Sequence, residues 1–95
     1  MHGEYKVPGG KLVVVDLEVR DGRLAAVQVS GDFFLEPDTA LMAMNQALDG
    51  LPADAGEATY TAAVDAVLSQ AQTFGLTAEG VAIAVTRALQ AQASS

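Results

Sequence analysis

The residues of this chain best suited to chemistry gather near its start, where Tyr5-Lys6-Val7-Pro8-Gly9-Gly10-Lys11 sets two lysines around a Pro-Gly-Gly turn. Backbone N–H groups of such a turn can come close to an anion because glycine puts no side chain in the way, and flanking ammonium groups can complete the site with charge. Lys6, Gly9, Gly10 and Lys11 are therefore the candidate anion-binding residues. The same pattern also describes a solvated turn whose lysines shield a sheet edge. It is not a Walker-type loop, and no helix is expected to follow it.

A second distinctive run is Gly31-Asp32-Phe33-Phe34. Successive residues of an extended segment point to opposite faces, so Phe33 and Phe34 cannot both enter one core layer. One ring either folds back under the next helix or stands exposed as an anchor for another protein, a role in which aromatics are enriched. The remaining candidates are plainer. His2 is the only histidine and its terminal position predicts disorder, while Met42 and Met44 read as helix packing. The acids from Asp32 onward do not cluster at ligand spacing and suit helix caps and solvated faces, so no metal site is expected.

The absence of cysteine removes disulfides, thiolate nucleophiles, iron–sulfur ligation and zinc ribbons, and with His2 the only histidine no Ser-His or Cys-His arrangement is expected within the chain. Charge is distributed unevenly. Residues 1–23 hold four bases (Lys6, Lys11, Arg20, Arg23) and four acids, whereas residues 24–86 hold eight acids and no base, and the total is −7. Such a surface repels phosphodiesters and anionic lipid, so neither nucleic acid nor membrane is an expected partner. No apolar run nears the ~20 residues of a bilayer span and no signal peptide is recognisable, which predicts a cytoplasmic location. At 95 residues, 51% of them hydrophobic, the chain is expected to form one two-layer domain over 1–95, with little room for a deep enzymatic cleft.

The elements that must position these residues follow from periodicity. Lys11–Arg20 alternates with Val13, Val15, Leu17 and Val19 on one face, and Leu24–Ser30 alternates with Ala25, Val27 and Val29. Asp21-Gly22 between them predicts a hairpin. Phe33-Phe34-Leu35 is expected as a short third strand, closed by Pro37 at the first position of a helix reaching Leu48, with Leu41, Met44 and Leu48 inward. Asp54 and Glu57 have the spacing of a capping box for a second helix, with Tyr60, Ala63, Val64, Val67, Leu68 and Ala71 in its stripe and Gly75 at its end. Thr77 caps a third helix facing inward with Val81, Ala84, Val85, Ala88 and Leu89, and the Gln/Ala/Ser tail is expected to fray. The fold class is α+β: a small antiparallel three-stranded sheet, made of the hairpin plus a short third strand, with three helices on one face.

These motifs together resemble a known family. Tyr5-Lys6-Val7-Pro8-Gly9-Gly10-Lys11-Leu12, the Asp-Gly hairpin, and Ser30-Gly31-Asp32-Phe33-Phe34-Leu35-Glu36-Pro37 look like the accessory domain of lipoate–protein ligases, which occurs fused behind the catalytic domain or as a separate small subunit. The likeness spans the chain in length and element order, and its specific motifs lie within residues 5–37. It implies a non-catalytic subunit that joins a lipoate–protein ligase catalytic subunit as a heterodimer and supports lipoyl-AMP formation, before the lipoyl group passes to a lysine of an acceptor domain. ATP, Mg and lipoate then belong to the complete ligase, none of them bound by this chain alone. The family's catalytic lysine lies in the large domain, so neither Lys6 nor Lys11 inherits it. A mixed anhydride is lost to water unless its site closes, which gives a separate lid or brace a physical rationale. The lysine loop would face phosphate or partner, and Phe33 or Phe34 would anchor the partner. The alternative is a free-standing adaptor or regulatory domain that binds an acceptor protein or small anion without a part in ligation. An independent enzyme fits worst, for want of a nucleophile–base pair or cofactor cradle.

Overall fold

The computed structural model describes residues 1–93, in the order β1 (His2–Lys6), β2 (Leu12–Arg20), β3 (Arg23–Gly31), β4 (Phe34–Glu36), α1 (Thr39–Leu48), α2 (Glu57–Leu68), β5 (Gln72–Phe74) and α3 (Ala78–Ala93). It is the expected α+β class, with a three-stranded antiparallel sheet and three helices. Ser94 and Ser95, the end of the tail expected to fray, lie outside the described residues.

The hairpin forms as its alternation requires, with Arg20 opposite Arg23 and both Asp21 (φ 54°) and Gly22 (φ 76°) left-handed, as a two-residue type I′ turn demands. Val13, Val15 and Leu17 are buried. On β3 the alternation breaks at a bulge. The register shifts between Asp16 and Glu18, Ala26 takes φ 51°, and Leu17 faces both Ala26 and Val27. One extra residue moves the strand's phase, so Leu24, Val27 and Val29 are buried and Ala25, expected inward, is only half-buried.

The third strand of this sheet is β1, not Phe33–Leu35. The sheet order is β1-β2-β3, and the short run after Gly31 pairs with β5 in a separate two-stranded ribbon. His2, expected to be disordered, therefore sits in a strand opposite Asp16. The inward positions of β1 are Gly3 and Tyr5, and Gly3 is buried. A Cβ at Gly3 would overlap the Ala84 carbonyl oxygen and the Ala88 amide nitrogen, so β1 lies directly on the α3 backbone, glycine against alanines.

The helices cover one face of the sheet. α3 packs on β1 and β2, α1 on β3, and α2 on both helices, with Tyr60 and Val64 completing the core. Thr77 caps α3 as expected, its hydroxyl accepting from the Gly80 N–H at 2.9 Å, and Val81, Ala84, Val85 and Ala88 are buried. α1 starts at Thr39, leaving Pro37 outside the helix, and buries Ala40, Met44 and Leu48 while Leu41 stays exposed. The capping box does not form: the N-cap of α2 is Gly56, and no side chain caps it. α2 also stops at Leu68 rather than at Gly75. The Ser69 hydroxyl turns back to donate to the Ala66 carbonyl at 2.9 Å, and successive tight turns release the chain into β5.

The outer edge of β3 is closed by side chains of α1. Asn45 accepts from the Val29 N–H and Asp49 from the Val27 N–H, each at 2.9 Å, while Gly50–Ala53 bonds to the first residues of the strand and its turn. The edge is thereby closed to further pairing. No described helix is long and apolar enough to cross a membrane.

Candidate functional site

The lysine loop is the turn between β1 and β2. Val7 is buried and fastens it to the core, while Pro8 and Gly9 protrude. Its N–H groups are largely engaged: Val7 donates to the Lys11 carbonyl (3.1 Å), Gly10 to that of Val7 (2.8 Å) and Lys11 to that of Gly75 (3.0 Å). The Lys6 ammonium folds back over the loop and donates to the carbonyls of Gly10 (2.6 Å) and Val7 (3.2 Å). The two lysines are thus not equivalent.

Lys11 is exposed, and its ammonium makes no hydrogen bond or ion pair among the described residues. Each other basic side chain does: Arg20 with Glu18, Arg23 with the Gly50 carbonyl, and Arg87 with the Glu4 carbonyl and, 5.0 Å from its centre, the Tyr5 ring. The Lys11 stem lies over Gly75, where a Cβ would strike its Cγ, and Gly75 takes φ 83°. Gly10 is similarly close to the Gly75 carbonyl. These contacts lock the loop onto the segment that leaves β5.

The aromatic pair divides as strand geometry demands. Phe33 is half-buried with its ring over Gly31 and packs against the core, whereas Phe34 is 50% exposed. A third ring, not singled out in the sequence, completes the picture: Phe74 is 70% exposed and lies directly opposite Phe34 in the β4–β5 ribbon. Directly opposed residues of an antiparallel pair project to the same side, so the two rings share one face. The intervening pair, Leu35 and Thr73, is half-buried on the other side, and the Thr73 hydroxyl donates to the Phe34 carbonyl at 2.9 Å. Phe74 escaped notice because a three-residue strand carries no readable period, and the stripe of α2 seemed to run through it.

The fold thus unites two motifs about twenty residues apart in sequence. The contact runs from Lys11 through Gly75 to Phe74, and across the ribbon to Phe34. Elsewhere, His2 bridges Glu4 and Asp16 on the uncovered sheet face at 2.6 and 2.7 Å. Hydrogen bonding first to Glu4 and then to Asp16 raises its pKa above the ordinary value of 6.5.

No family model matches the chain, and no curated protein matches it in sequence. Among solved structures, the fold is similar to that of a chain from an archaeal lipoylation system, described as a bi-partite lipoate protein ligase and its E2 lipoyl domain from Thermoplasma acidophilum. The TM-score is 0.73 at 21% identity, covering 90% of this chain and 92% of that one. At that identity the likeness is one of fold.

Proposed function

We propose that the chain is the non-catalytic subunit of a two-part lipoate–protein ligase, joining a separate catalytic subunit and supporting lipoate adenylation. The observation that carries this reading is the agreement of two independent signals. The motifs of residues 5–37 resemble the accessory domain of that family, and the fold matches, nearly end to end, a chain from a bi-partite ligase system. The chemistry to be supported is attack of the lipoate carboxylate on the α-phosphorus of ATP, which forms lipoyl-AMP and expels pyrophosphate. ATP, Mg and lipoate are held by the complete ligase. This chain contributes shape and charge at the margin of that reaction. Its uncommitted ammonium at Lys11 suits a contact with phosphate or partner, whereas Lys6 already serves the loop's own carbonyls.

The test is reconstitution. Pyrophosphate release from lipoate and ATP is expected from the catalytic subunit together with this chain, not from this chain alone, and supplying preformed lipoyl-AMP should remove most of the dependence on it. Robust release by the 95-residue chain by itself would reject the reading. The system from which the neighbouring chain comes is described with an E2 lipoyl domain as well as the ligase, and an acceptor must present a lysine. Lys6 and Lys11 are the only lysines here, so transfer of a lipoyl group to either, seen by mass spectrometry, would replace an accessory role with an acceptor role. Binding to the catalytic subunit or an acceptor without any change in adenylation would favour the adaptor reading instead.

A further inference from the structure

We propose that the outer edge of β1 takes up an extended strand of the catalytic ligase subunit, paired along His2, Glu4 and Lys6 and carrying a carboxylate that meets Arg87. The proposal rests on the accessory-subunit reading and deepens it by assigning the contact. The ladder between β1 and β2 fixes which backbone groups face outward. Met1 and Leu17 exchange both of their bonds and the Val7 N–H donates to the Lys11 carbonyl, so by the alternation of an antiparallel pair Gly3 and Tyr5 bond across to Val15 and Val13. The N–H and C=O groups of His2, Glu4 and Lys6 therefore point away from β2. Glu4 shows this directly, since its carbonyl accepts from the Arg87 guanidinium at 2.9 Å. The remaining outward groups of these three residues have no hydrogen-bond partner among the described residues. At the other edge of the sheet, by contrast, Asn45, Asp49 and the segment 50–53 already engage the backbone of β3. Unpaired donors and acceptors repeating at strand spacing are met by another strand.

Arg87 selects the kind of strand. Its guanidinium lies 5.0 Å from the centre of the inward-facing Tyr5 ring and bonds the outward Glu4 carbonyl, so two contacts fix it at the edge of β1, on the side of the sheet that α3 covers. No carboxylate pairs with it among the described residues. The one acid of α3, Glu79, is eight residues away, ~12 Å along the helix, and the Glu4 and Asp16 carboxylates are joined to His2 on the opposite face. A residue laid opposite Tyr5 projects to the same side as that ring and reaches the guanidinium, whose free N–H groups suit the two oxygens of a carboxylate. A cation already fixed in place loses little freedom on pairing. The Glu4 carbonyl has a second lone pair, so Arg87 and an incoming N–H can share it. A second copy of this chain does not fit, because its β1 would bring Met1, Gly3 and Tyr5 to that side with another Arg87 and no acid. The exposed charges of His2, Glu4 and Lys6 also discourage pairing with an arbitrary apolar strand.

The test uses the catalytic subunit that supports lipoate-dependent pyrophosphate release with the wild-type chain. Amide exchange followed by NMR needs no substitution: in the complex the amides of His2, Glu4 and Lys6 should exchange about tenfold more slowly than in the free chain, or slower still, while those of Gly3 and Tyr5 change less. Glu4→Pro removes an outward N–H and leaves the bonds to β2 in place. Compared with Glu4→Ala, which loses the same side chain, it should raise Kd in calorimetry about tenfold. Arg87→Glu should raise Kd about thirtyfold by setting like charges against each other. Unchanged exchange at His2, Glu4 and Lys6 in a complex that adenylates normally would overturn the edge contact and leave the accessory reading standing. Equal Kd for Glu4→Pro and Glu4→Ala, both folded as judged by thermal unfolding, would do the same. Unchanged Kd in Arg87→Glu would overturn the carboxylate and with it the choice of strand. Protection of the same amides in this chain alone as its concentration rises would assign the edge to a second copy and reject the proposal. A wild-type chain that neither binds nor stimulates would overturn both readings.

Discussion

The contact between β1 and α3 and the ribbon of β4 and β5 are built on opposite principles. At the first, a buried glycine lets a strand touch a helix backbone, alanines line the other side, and no described side-chain polar atom is left buried without a partner. At the second, strands of three residues hold two phenylalanines in solvent. Close packing leaves no room for change and makes a fold specific. An open ribbon with exposed rings adds little to stability and leaves its apolar area in contact with solvent. Substitutions should therefore damage folding at one end and leave it largely intact at the other.

The largest effect is expected at Gly3. Valine there drives a side chain into backbone atoms of Ala84 and Ala88, which cannot rotate aside, so destabilisation of about 3 kcal/mol is expected, at the upper end for overpacking. Thermal or urea unfolding measures it. A variant as stable as the wild type would show that β1 can lift from α3, and the contrast between the two regions would collapse.

Within the aromatic trio the contrast becomes a matter of neighbours. Phe33→Ala removes a half-buried ring and should cost about 2 kcal/mol, less than a fully buried phenylalanine. Phe34→Ala and Phe74→Ala, both exposed, should stay within about 0.5 kcal/mol of wild type in the same unfolding experiment. Equal losses for the three would mean that the ribbon belongs to the core after all.

The covered edge of β3 offers a finer probe. Asn45→Ala takes away the acceptor of the Val29 N–H, and about 1–2 kcal/mol of stability should be lost with it. Asp49→Asn retains an oxygen for the Val27 N–H and should be nearly neutral. Faster amide exchange at Val29 in the first variant but unchanged exchange at Val27 in the second would localise the effect.

The smallest effect lies at His2. Its pKa is raised in the folded state, so the stabilisation it provides is fully present below the ordinary 6.5 and is lost as pH climbs through the raised value. Because the side chain is exposed, the change in stability should be slight, and the informative measurement is the NMR titration of its ring protons. Glu4→Gln should lower the pKa most, Asp16→Asn by less. A titration at the ordinary value in the wild type would mean that the bridge across β1 and β2 does not form.

Local rules were enough for much of this. Alternation and Asp21-Gly22 specify the hairpin, because a left-handed turn and a period of two are properties of adjacent residues. The Thr77 cap and the stripe of α3 are local in the same sense. β1 was hidden because its chief inward residue is glycine, which leaves a hydrophobic pattern silent at the very place where packing is closest. The bulge at Ala26, which exchanges Ala25 for Leu24 in the core, depends on where β2 meets β3 and leaves no trace in either strand read alone. The capping box expected at Asp54 gave way to a helix that starts after Gly56, and Pro37, expected as the first helical residue, stays outside α1 at the end of the ribbon. At the candidate site the residue types were legible, but their division of labour was not. Whether Phe33 or Phe34 faces water follows from the pairing of β4 with β5, some forty residues apart, and Lys6 differs from Lys11 because its ammonium turns onto the carbonyls of Val7 and Gly10. Sequence determined which side chains were available, and only contacts between distant segments decided which of them stayed exposed.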